Sequence, residues 1–305
     1  MTDSYDVVII GGGPAGLSAG LYTSRDKLSS LLIERGLIGG LINETDRLDN
    51  YPGFPDGIGG SELTQLMHRQ ATNHGLETVT AEVTGLEITG DSKTVKTSQG
   101  DLSAKAVIIA GGSQRQLLGA PGEKEFTGRG VSYCATCDAP FFSNKTIAVV
   151  GGGNAAVYEA LHLAKFASKV FLIHRRDQLR ATAVVQEKAL AQPNIEILWS
   201  SVVEAIEGTN FVEKLALRRT DNNQKSSLEV DGVFIAIGLK PNTSYLPDSL
   251  PLDSQGAIVV NENMQTAVPG ILAAGDIRSG SIRQVVSAAG DGATAAIYAK
   301  LFIES

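Results

Sequence analysis

The pattern that most constrains this chain is a strand running into a glycine turn and then a helix, and it occurs twice. Tyr5-Asp6-Val7-Val8-Ile9-Ile10 is a short apolar, β-branched run of the kind that forms a strand buried on both faces. It leads into Gly11-Gly12-Gly13-Pro14-Ala15-Gly16, a Gly-x-Gly-x-x-Gly spacing, with a helix-compatible stretch from Leu17 to Arg25 behind it. Such glycines serve a tight turn, a close approach of backbone to pyrophosphate and close helix–strand packing. The helix start then offers unpaired N–H groups to the phosphates. A second strand, Ser30-Leu31-Leu32-Ile33, ends at Glu34. An acid about twenty residues past the glycines is placed to meet the ribose hydroxyls of an unphosphorylated dinucleotide.

The second copy begins at Thr146-Ile147-Ala148-Val149-Val150 and runs into Gly151-Gly152-Gly153-Asn154-Ala155-Ala156, with a helix expected over Val157 to Phe166. Its following strand, Lys169 to Ile173, ends in His174-Arg175-Arg176, with Arg180 four residues on. A carboxylate at that point would repel a ribose 2′-phosphate, whereas guanidinium groups pair with it by charge-assisted bonds. The contrast assigns FAD or NAD to the first turn and NADPH to the second. His174 is expected to pack beside the cofactor. Arginines clustered on a helix start also occur as an ordinary solvated face.

Two such units predict an α/β chain of two Rossmann-like, three-layer ββα domains. Residues 79–102 alternate polar and apolar between turn signals such as Gly90-Asp91, and residues 195–230 do the same; each suggests a small antiparallel insert. Ser61 to His74 has helical periodicity, with His68 and His74 among polar neighbours on its outer side. Further buried strands are expected over Ala106–Gly112, Gly232–Gly238 and Val268–Asp276, and a closing helix over Val285–Phe302. That last strand ends in Gly275-Asp276. A buried Asp276 needs partners, and flavin ribityl hydroxyls can donate to it. Arg283-Gln284 precede the closing helix, whose N-terminus would favour an anionic flavin ring. The Gly/Asn/Asp/Pro-rich segment Gly36–Gly60 is either a connecting loop or a site-building one, with Gly40, Leu41 and Asn50 as its candidate contacts. The C-terminal segment needs a partner sheet, which makes the first domain discontinuous: residues 1–113 with 244–305, and 114–243 inserted. The turn Lys240-Pro241-Asn242 is a natural hinge.

The only two cysteines in 305 residues stand in Ser132-Tyr133-Cys134-Ala135-Thr136-Cys137-Asp138. At this spacing one turn brings two thiols within bonding reach, and one of them is stabilised as a thiolate. Asp138 is placed to give or take a proton as the pair cycles between disulfide and dithiol. Half a zinc site and two inert core cysteines are the alternatives. None of the four histidines, His68, His74, His162 and His174, forms a His-x-x-x-His partner for zinc.

A formal net charge of −7 argues against a nucleic-acid or membrane-surface protein. Met1-Thr2-Asp3-Ser4-Tyr5-Asp6 lacks the basic region of a signal peptide, and no run approaches the ~18 apolar residues of a membrane span. Two closely spaced cysteines and no others fit a reducing, cytoplasmic compartment.

Taken in order, these motifs resemble the low-molecular-weight thioredoxin reductases of bacteria and plants, end to end. The carriers are Gly11-x-Gly13-x-x-Gly16, Cys134-Ala-Thr-Cys137-Asp138, Gly151-x-Gly153-x-x-Ala156, His174-Arg175-Arg176 with Arg180, and Gly275-Asp276 before Arg283-Gln284. The resemblance implies a pyridine nucleotide-disulfide oxidoreductase fold of class II, FAD and NADPH as cofactors, a homodimer, and thioredoxin as protein substrate. It further implies that Cys137 lies nearer the flavin, that Cys134 attacks thioredoxin, and that one domain swings against the other. Two positions depart from the family. Gly39-Gly40-Leu41 stands where Gly-Gly-Gln is frequent, and Ala139-Pro140 replaces the usual glycine after the redox motif. A ferredoxin-driven or specialised-partner relative shares the flavin and dithiol, but the glycines and arginines of the second unit argue against the former.

Overall fold

The structure is a computed structural model and describes residues 4–45, 48–90 and 92–305. Asp91 of the expected Gly90-Asp91 turn and Met1–Asp3 lie outside the described residues. The chain divides into two compact units, Met1–Gln114 with Lys240–Ser305, and Arg115–Leu239.

The first unit opens with β1 (Ser4–Ile10), α1 (Pro14–Arg25) and β2 (Ser30–Glu34), followed by α2 (Gly60–Thr72) and β3 (Glu77–Thr80). Next come β4 (Val83–Thr89), β5 (Ser92–Thr97) and β6 (Gly100–Ile109). Parallel pairing of β1 with β2 and with β6 puts the apolar run Val7–Ile10 at the sheet centre. Because side chains alternate across a strand, Val8 and Ile10 enter one core cluster while Val7 and Ile9 enter the other. Each such side chain, fully buried, contributes about 1.5–3 kcal/mol. The helix-side cluster is completed by Leu17 and Ala19 of α1 and by Ala295, Ala296 and Ala299 near the C-terminus. Leu86, Val95 and Leu102 cover the other face.

The expected insert and the strand after it are one element here. β6 pairs antiparallel with β5 through its first half, Gly100–Ala104, and parallel with a late strand through Val107–Ile109. The antiparallel strands therefore extend the central sheet. His68, expected in solvent, is half-buried and its Nε2 has no hydrogen-bond partner.

The chain leaves this unit along β7 (Ser113–Arg115) and enters the second through β8 (Val131–Ser132) and the single-turn α3 (Ala135–Asp138). Then follow β9 (Thr146–Gly151), α4 (Asn154–Leu163), β10 (Lys169–Ile173), α5 (Ala183–Leu190) and β11 (Ile195–Leu198). A parallel sheet runs β11-β10-β9-β15-β8, where β15 is Gly232–Ala236. Between its last strands lies the antiparallel sheet β12 (Ser201–Gly208), β13 (Val212–Arg219) and β14 (Lys225–Glu229). Ile147 and Val149 pack towards α4 and α5, whereas Ala148 and Val150 pack against Val203, Ile206, Leu215 and Leu217. Helices on one face and a second sheet on the other give the three layers. The segment 195–198 belongs to the parallel sheet, so the insert is shorter than the sequence suggests.

The return crossing is β16 (Leu239–Pro241), after which β17 (Ile271–Ala273) and α6 (Val285–Glu304) complete the first unit. The crossing falls at 239/240 rather than 243/244 because Asn242 is already bonded into the first unit. Its N–H donates to the Gly112 carbonyl at 3.1 Å and its Nδ2 to the Gly111 carbonyl at 2.7 Å.

Candidate active site

The redox stretch hangs from β8, which is short but fixed by pairing with β15 at Val131 and Ser132. Cys134 leaves the strand in an extended conformation and caps α3, where its carbonyl accepts N–H groups from Cys137 and Asp138. That single turn brings the two Cα atoms to 5.3 Å, and the cysteines are joined as a disulfide. Cys134 Sγ also accepts the Cys137 N–H at 3.2 Å, a contact that stabilises a thiolate once the bond is reduced. Asp138 lies on the same turn, and Ser132 Oγ donates to its Oδ2 at 2.6 Å. Ala139, where the resembling family carries glycine, is fully buried in right-handed helical backbone, so an alanine fits there without strain.

Tyr133, between Ser132 and Cys134, is anchored by its hydroxyl, which donates to Glu123 Oε1 at 2.9 Å. Glu123 is 2% exposed and accepts two further N–H groups, from Leu118 and Gly119. Burial, then the Glu123 carboxylate, pushes the Tyr133 hydroxyl up to about 12, so it stays a donor at any physiological pH. The Arg115 guanidinium lies 4.7 Å over the Tyr133 ring. No local pattern around Glu123 announces this anchor.

The first glycine turn sits at the end of β1. Gly11 has φ +108°, a conformation strained for any side chain. At Gly16 an added Cβ would lie 1.8 Å from the Gly11 carbonyl oxygen, so α1 packs on the turn only with glycine there. Glu34, at the end of β2, reaches back to this turn: Oε2 accepts the Gly12 N–H at 2.8 Å and Oε1 the Gly36 N–H at 3.0 Å. Gly40 comes beside Gly13, its added Cβ position 3.5 Å from the Gly13 Cα, and Leu41 follows on the same 3₁₀ turn. Asn50 Nδ2 donates to Gln284 Oε1 at 3.0 Å, which joins the Gly36–Gly60 loop to the residue capping α6.

Gly275 and Asp276 follow β17 and meet the start of α1, where an added Gly275 Cβ would lie 3.0 Å from the Ala15 Cβ. Burial raises the Asp276 carboxyl above its ordinary range, against the Ser281 hydroxyl, which donates to its Oδ1 at 3.0 Å, and the Arg283 charge. A pair the sequence reading missed holds this corner. Arg278 is bidentate to Asp291 of α6, at 2.7 and 2.8 Å, and Asp291 also accepts the Gly275 N–H at 3.1 Å. The partners are thirteen residues apart in the chain and in different elements, so no spacing rule announces them.

The second turn has its own covering group. His174 packs on Gly152, where an added Cβ would lie 2.1 Å from its Nδ1. Its Nδ1 and Nε2 each lie 2.9 Å from a carbonyl, of Gly151 and Gln178. Burial lowers the His174 pKa, against the pull of the two carbonyls, and keeps the ring neutral. Arg180 N–H donates to the Gly152 carbonyl at 2.7 Å, and Asn154 Oδ1 accepts the Thr182 N–H at 2.8 Å. These bonds tie the arginine segment to the glycine turn. Arg175, Arg176 and Arg180 are exposed on a loop between β10 and α5, and not on a helix start. Ala155 and Ala156 open α4, Ala156 buried against Gly151.

Gly153 offers a direct test of fit to a dinucleotide. Its φ of −92° suits any residue, and an added Cβ would meet nothing of the protein within 4 Å. The fold itself does not demand glycine there, whereas a phosphate lying against the start of α4 would. Gly13 repeats this, with φ −75° and only the Gly39 carbonyl oxygen at 4.0 Å.

A family model described as pyridine nucleotide-disulphide oxidoreductase matches residues 5–292. The chain belongs to that family. As a pyridine nucleotide-disulphide oxidoreductase it is an enzyme, and Cys134–Cys137 is its redox-active disulfide. It is 43% identical to a thioredoxin reductase of Peptoclostridium acidaminophilum, over all of this chain and 99% of that one. To a thioredoxin reductase of Bacillus subtilis it is 44% identical, over 98% of this chain and 95% of that one. Among solved structures, the thioredoxin reductase of Streptococcus pyogenes aligns with a TM-score of 0.94 at 42% identity, covering 100% and 99% of the two chains. That of Giardia duodenalis aligns with a TM-score of 0.95 at 32% identity, covering both chains fully.

Proposed function

We propose that this oxidoreductase is an NADPH-dependent thioredoxin reductase that works with FAD and NADPH. The observation that carries the proposal is the Cys134–Cys137 disulfide, set in a turn with its own carboxylate, Asp138, inside a chain with two glycine cradles. Bound FAD and NADPH supply a two-electron reduction of that disulfide. FAD would be held by the first unit: Gly11, Gly13, Pro14, Ala15 and Gly16 would cradle its pyrophosphate, and Glu34, which already accepts the Gly12 and Gly36 N–H groups, would offer its remaining lone pairs to the ribose hydroxyls. Gly40, Leu41, Asn50, Gly275, Asp276, Arg283 and Gln284 line the rest of that site. NADPH is held by the second unit, through Gly151, Gly153, Asn154, Ala155 and Ala156. Arg175, Arg176 and Arg180 take the 2′-phosphate beside His174.

Once reduced, the turn does the chemistry on thioredoxin. The Cys134 thiolate, stabilised by the Cys137 N–H, attacks the substrate disulfide. Cys137 then attacks the mixed disulfide, and two electrons have passed to thioredoxin. Asp138 takes the proton of the attacking dithiol and returns it to the leaving thiolate. The chain passes between the units on two strands, β7 and β16, which pair with each other, and these take the role of hinge. Exposed Tyr22, Ile297 and Leu301 on α1 and α6 support a homodimer built on the first unit. Among the described residues no helix is long and apolar enough to cross a membrane, and a cytoplasmic dithiol enzyme is the reading that fits two cysteines in all.

Anaerobic titration of the flavin-loaded protein tests this. NADPH at low concentration is expected to bleach the flavin absorbance, NADH far less well, and oxidised thioredoxin to restore the spectrum. Failure of both nucleotides to bleach it would overturn the assignment of the second unit and favour a ferredoxin-type donor.

A further inference from the structure

We propose that Ser132 is a positioning residue that sets the protonation of Asp138. This rests on the disulfide-reductase reading above. Ser132 is 5% exposed and its hydroxyl has two partners, both on the redox turn. It accepts the Cys134 N–H at 3.2 Å and donates to Asp138 Oδ2 at 2.6 Å. An N–H can only donate, so the hydroxyl proton is committed to the carboxylate. By donating to Oδ2, the Ser132 hydroxyl favours the ionised form of Asp138 over the protonated one.

The strand pairing of Ser132 with Phe234 holds the hydroxyl in place while the cysteines change partners. In the exchange the Cys134–Cys137 bond forms as the thioredoxin S–S bond breaks, and two electrons and two protons move to the thioredoxin sulfurs. Asp138 has to be ionised to take the first thiol proton, and Ser132 keeps it so. On the elements packed against α3, the titratable groups are Cys134 and Cys137 in the turn, and Tyr158, Glu159 and His162 on α4. Glu159 is the carboxylate among them, so Glu159→Gln serves as a control.

The test is the pH profile of kcat/KM for thioredoxin, measured for the holoenzyme and for Ser132→Ala, Ser132→Thr, Asp138→Asn and the Ser132→Ala/Asp138→Asn double variant. Ser132→Ala is expected to move the acid limb up by about one pH unit, the size of a lost hydrogen bond to a charged group. Ser132→Thr should restore it, and the shift should vanish in the Asp138→Asn background but persist with Glu159→Gln. A purely structural role would lower the rate equally at every pH and in both backgrounds; that result, or an unshifted profile, overturns the proposal. Should Ser132→Ala not accumulate as folded protein, Ser132→Gly carries the same test. The alkylation rate of the dithiothreitol-reduced protein with iodoacetamide, followed against pH, needs neither NADPH nor thioredoxin. If wild-type protein fails on thioredoxin while Ser132→Ala still moves the alkylation step, the partner is wrong and the role of Ser132 stands. If thioredoxin is reduced and neither profile moves, Ser132 has no such role.

Discussion

The two glycine turns are built alike and finished differently. In each, the middle glycine is covered by a residue at the end of the following strand, Glu34 as the last of β2 and His174 as the first past β10. Gly12 lies under Glu34, with an added Cβ 3.2 Å from the Glu34 side chain, and Gly152 lies under His174, at 2.1 Å. In the first unit the covering residue is an anion that bonds directly to the turn. In the second it is a neutral ring, and the charges stand outside on the exposed arginine loop. On the proposed assignment this one position selects the dinucleotide: an acid offers acceptors to ribose hydroxyls, and its absence leaves room for a phosphate that the arginines would pair.

The two units differ most at the disulfide, which only the second carries. Cys137→Ser is expected to cut thioredoxin reduction by on the order of 10⁴-fold or more, since a nucleophile acting as part of a unit is lost, while NADPH still bleaches the flavin. Steady-state turnover beside anaerobic absorbance reads both. Next in size is the triple change Arg175→Ala, Arg176→Ala, Arg180→Ala. The ratio of kcat/KM for NADPH over NADH should fall about 100-fold, through the NADPH term alone, as charge-assisted bonds to the phosphate disappear.

The glycines of the second turn separate packing from binding. Gly151→Ala would bring a Cβ to 2.5 Å from the Ala156 Cβ and the Ala236 oxygen, and should destabilise the protein by about 1–3 kcal/mol in thermal melts. Gly153→Ala meets nothing and should leave the melt unchanged while raising KM for NADPH. The smallest effect concerns His174. Its folded pKa lies below the unfolded value, so the unfolded chain binds more protons as pH falls through that window, and stability drops on acidification. In His174→Gln that part of the acid sensitivity should be missing from melts taken between pH 7 and 5.

Much of this was legible in the residues because it is local. A strand, a glycine turn and a helix within the stretch Tyr5–Arg25 need no distant partner to be read, and the cysteine spacing alone places both sulfurs on one turn. Residues whose role depends on a fold-made meeting were not legible. Ser132 looks like any strand-end serine until a helical turn brings Asp138 back to it. Glu123 and Asp291 lie in segments with no motif, and Arg278 stands beside Gly275-Asp276 without any spacing that marks it. The arginines are expected past the strand end, with a solvated helix start as the alternative; two backbone bonds to the Gly152 carbonyl, from Arg180 and Ala181, hold the segment as a loop. The insert before β6 was cut from its strand because polarity changes midway, where β6 exchanges an antiparallel neighbour for a parallel one.

The hydrogen bond between Gly112 and Asn242 brings together, within the first unit, the two points where the chain departs and returns. Gln116 and Gly238 are joined in the same way at 3.0 Å on the second unit's side. Each unit therefore presents its cut ends as neighbours, as an inserted cassette does. A tight turn of a few residues could close the first unit over the gap, and the second could be lifted out and replaced by another donor-binding module. In evolutionary terms the fold permits the electron source to be exchanged by one recombination event that leaves the flavin sheet uninterrupted.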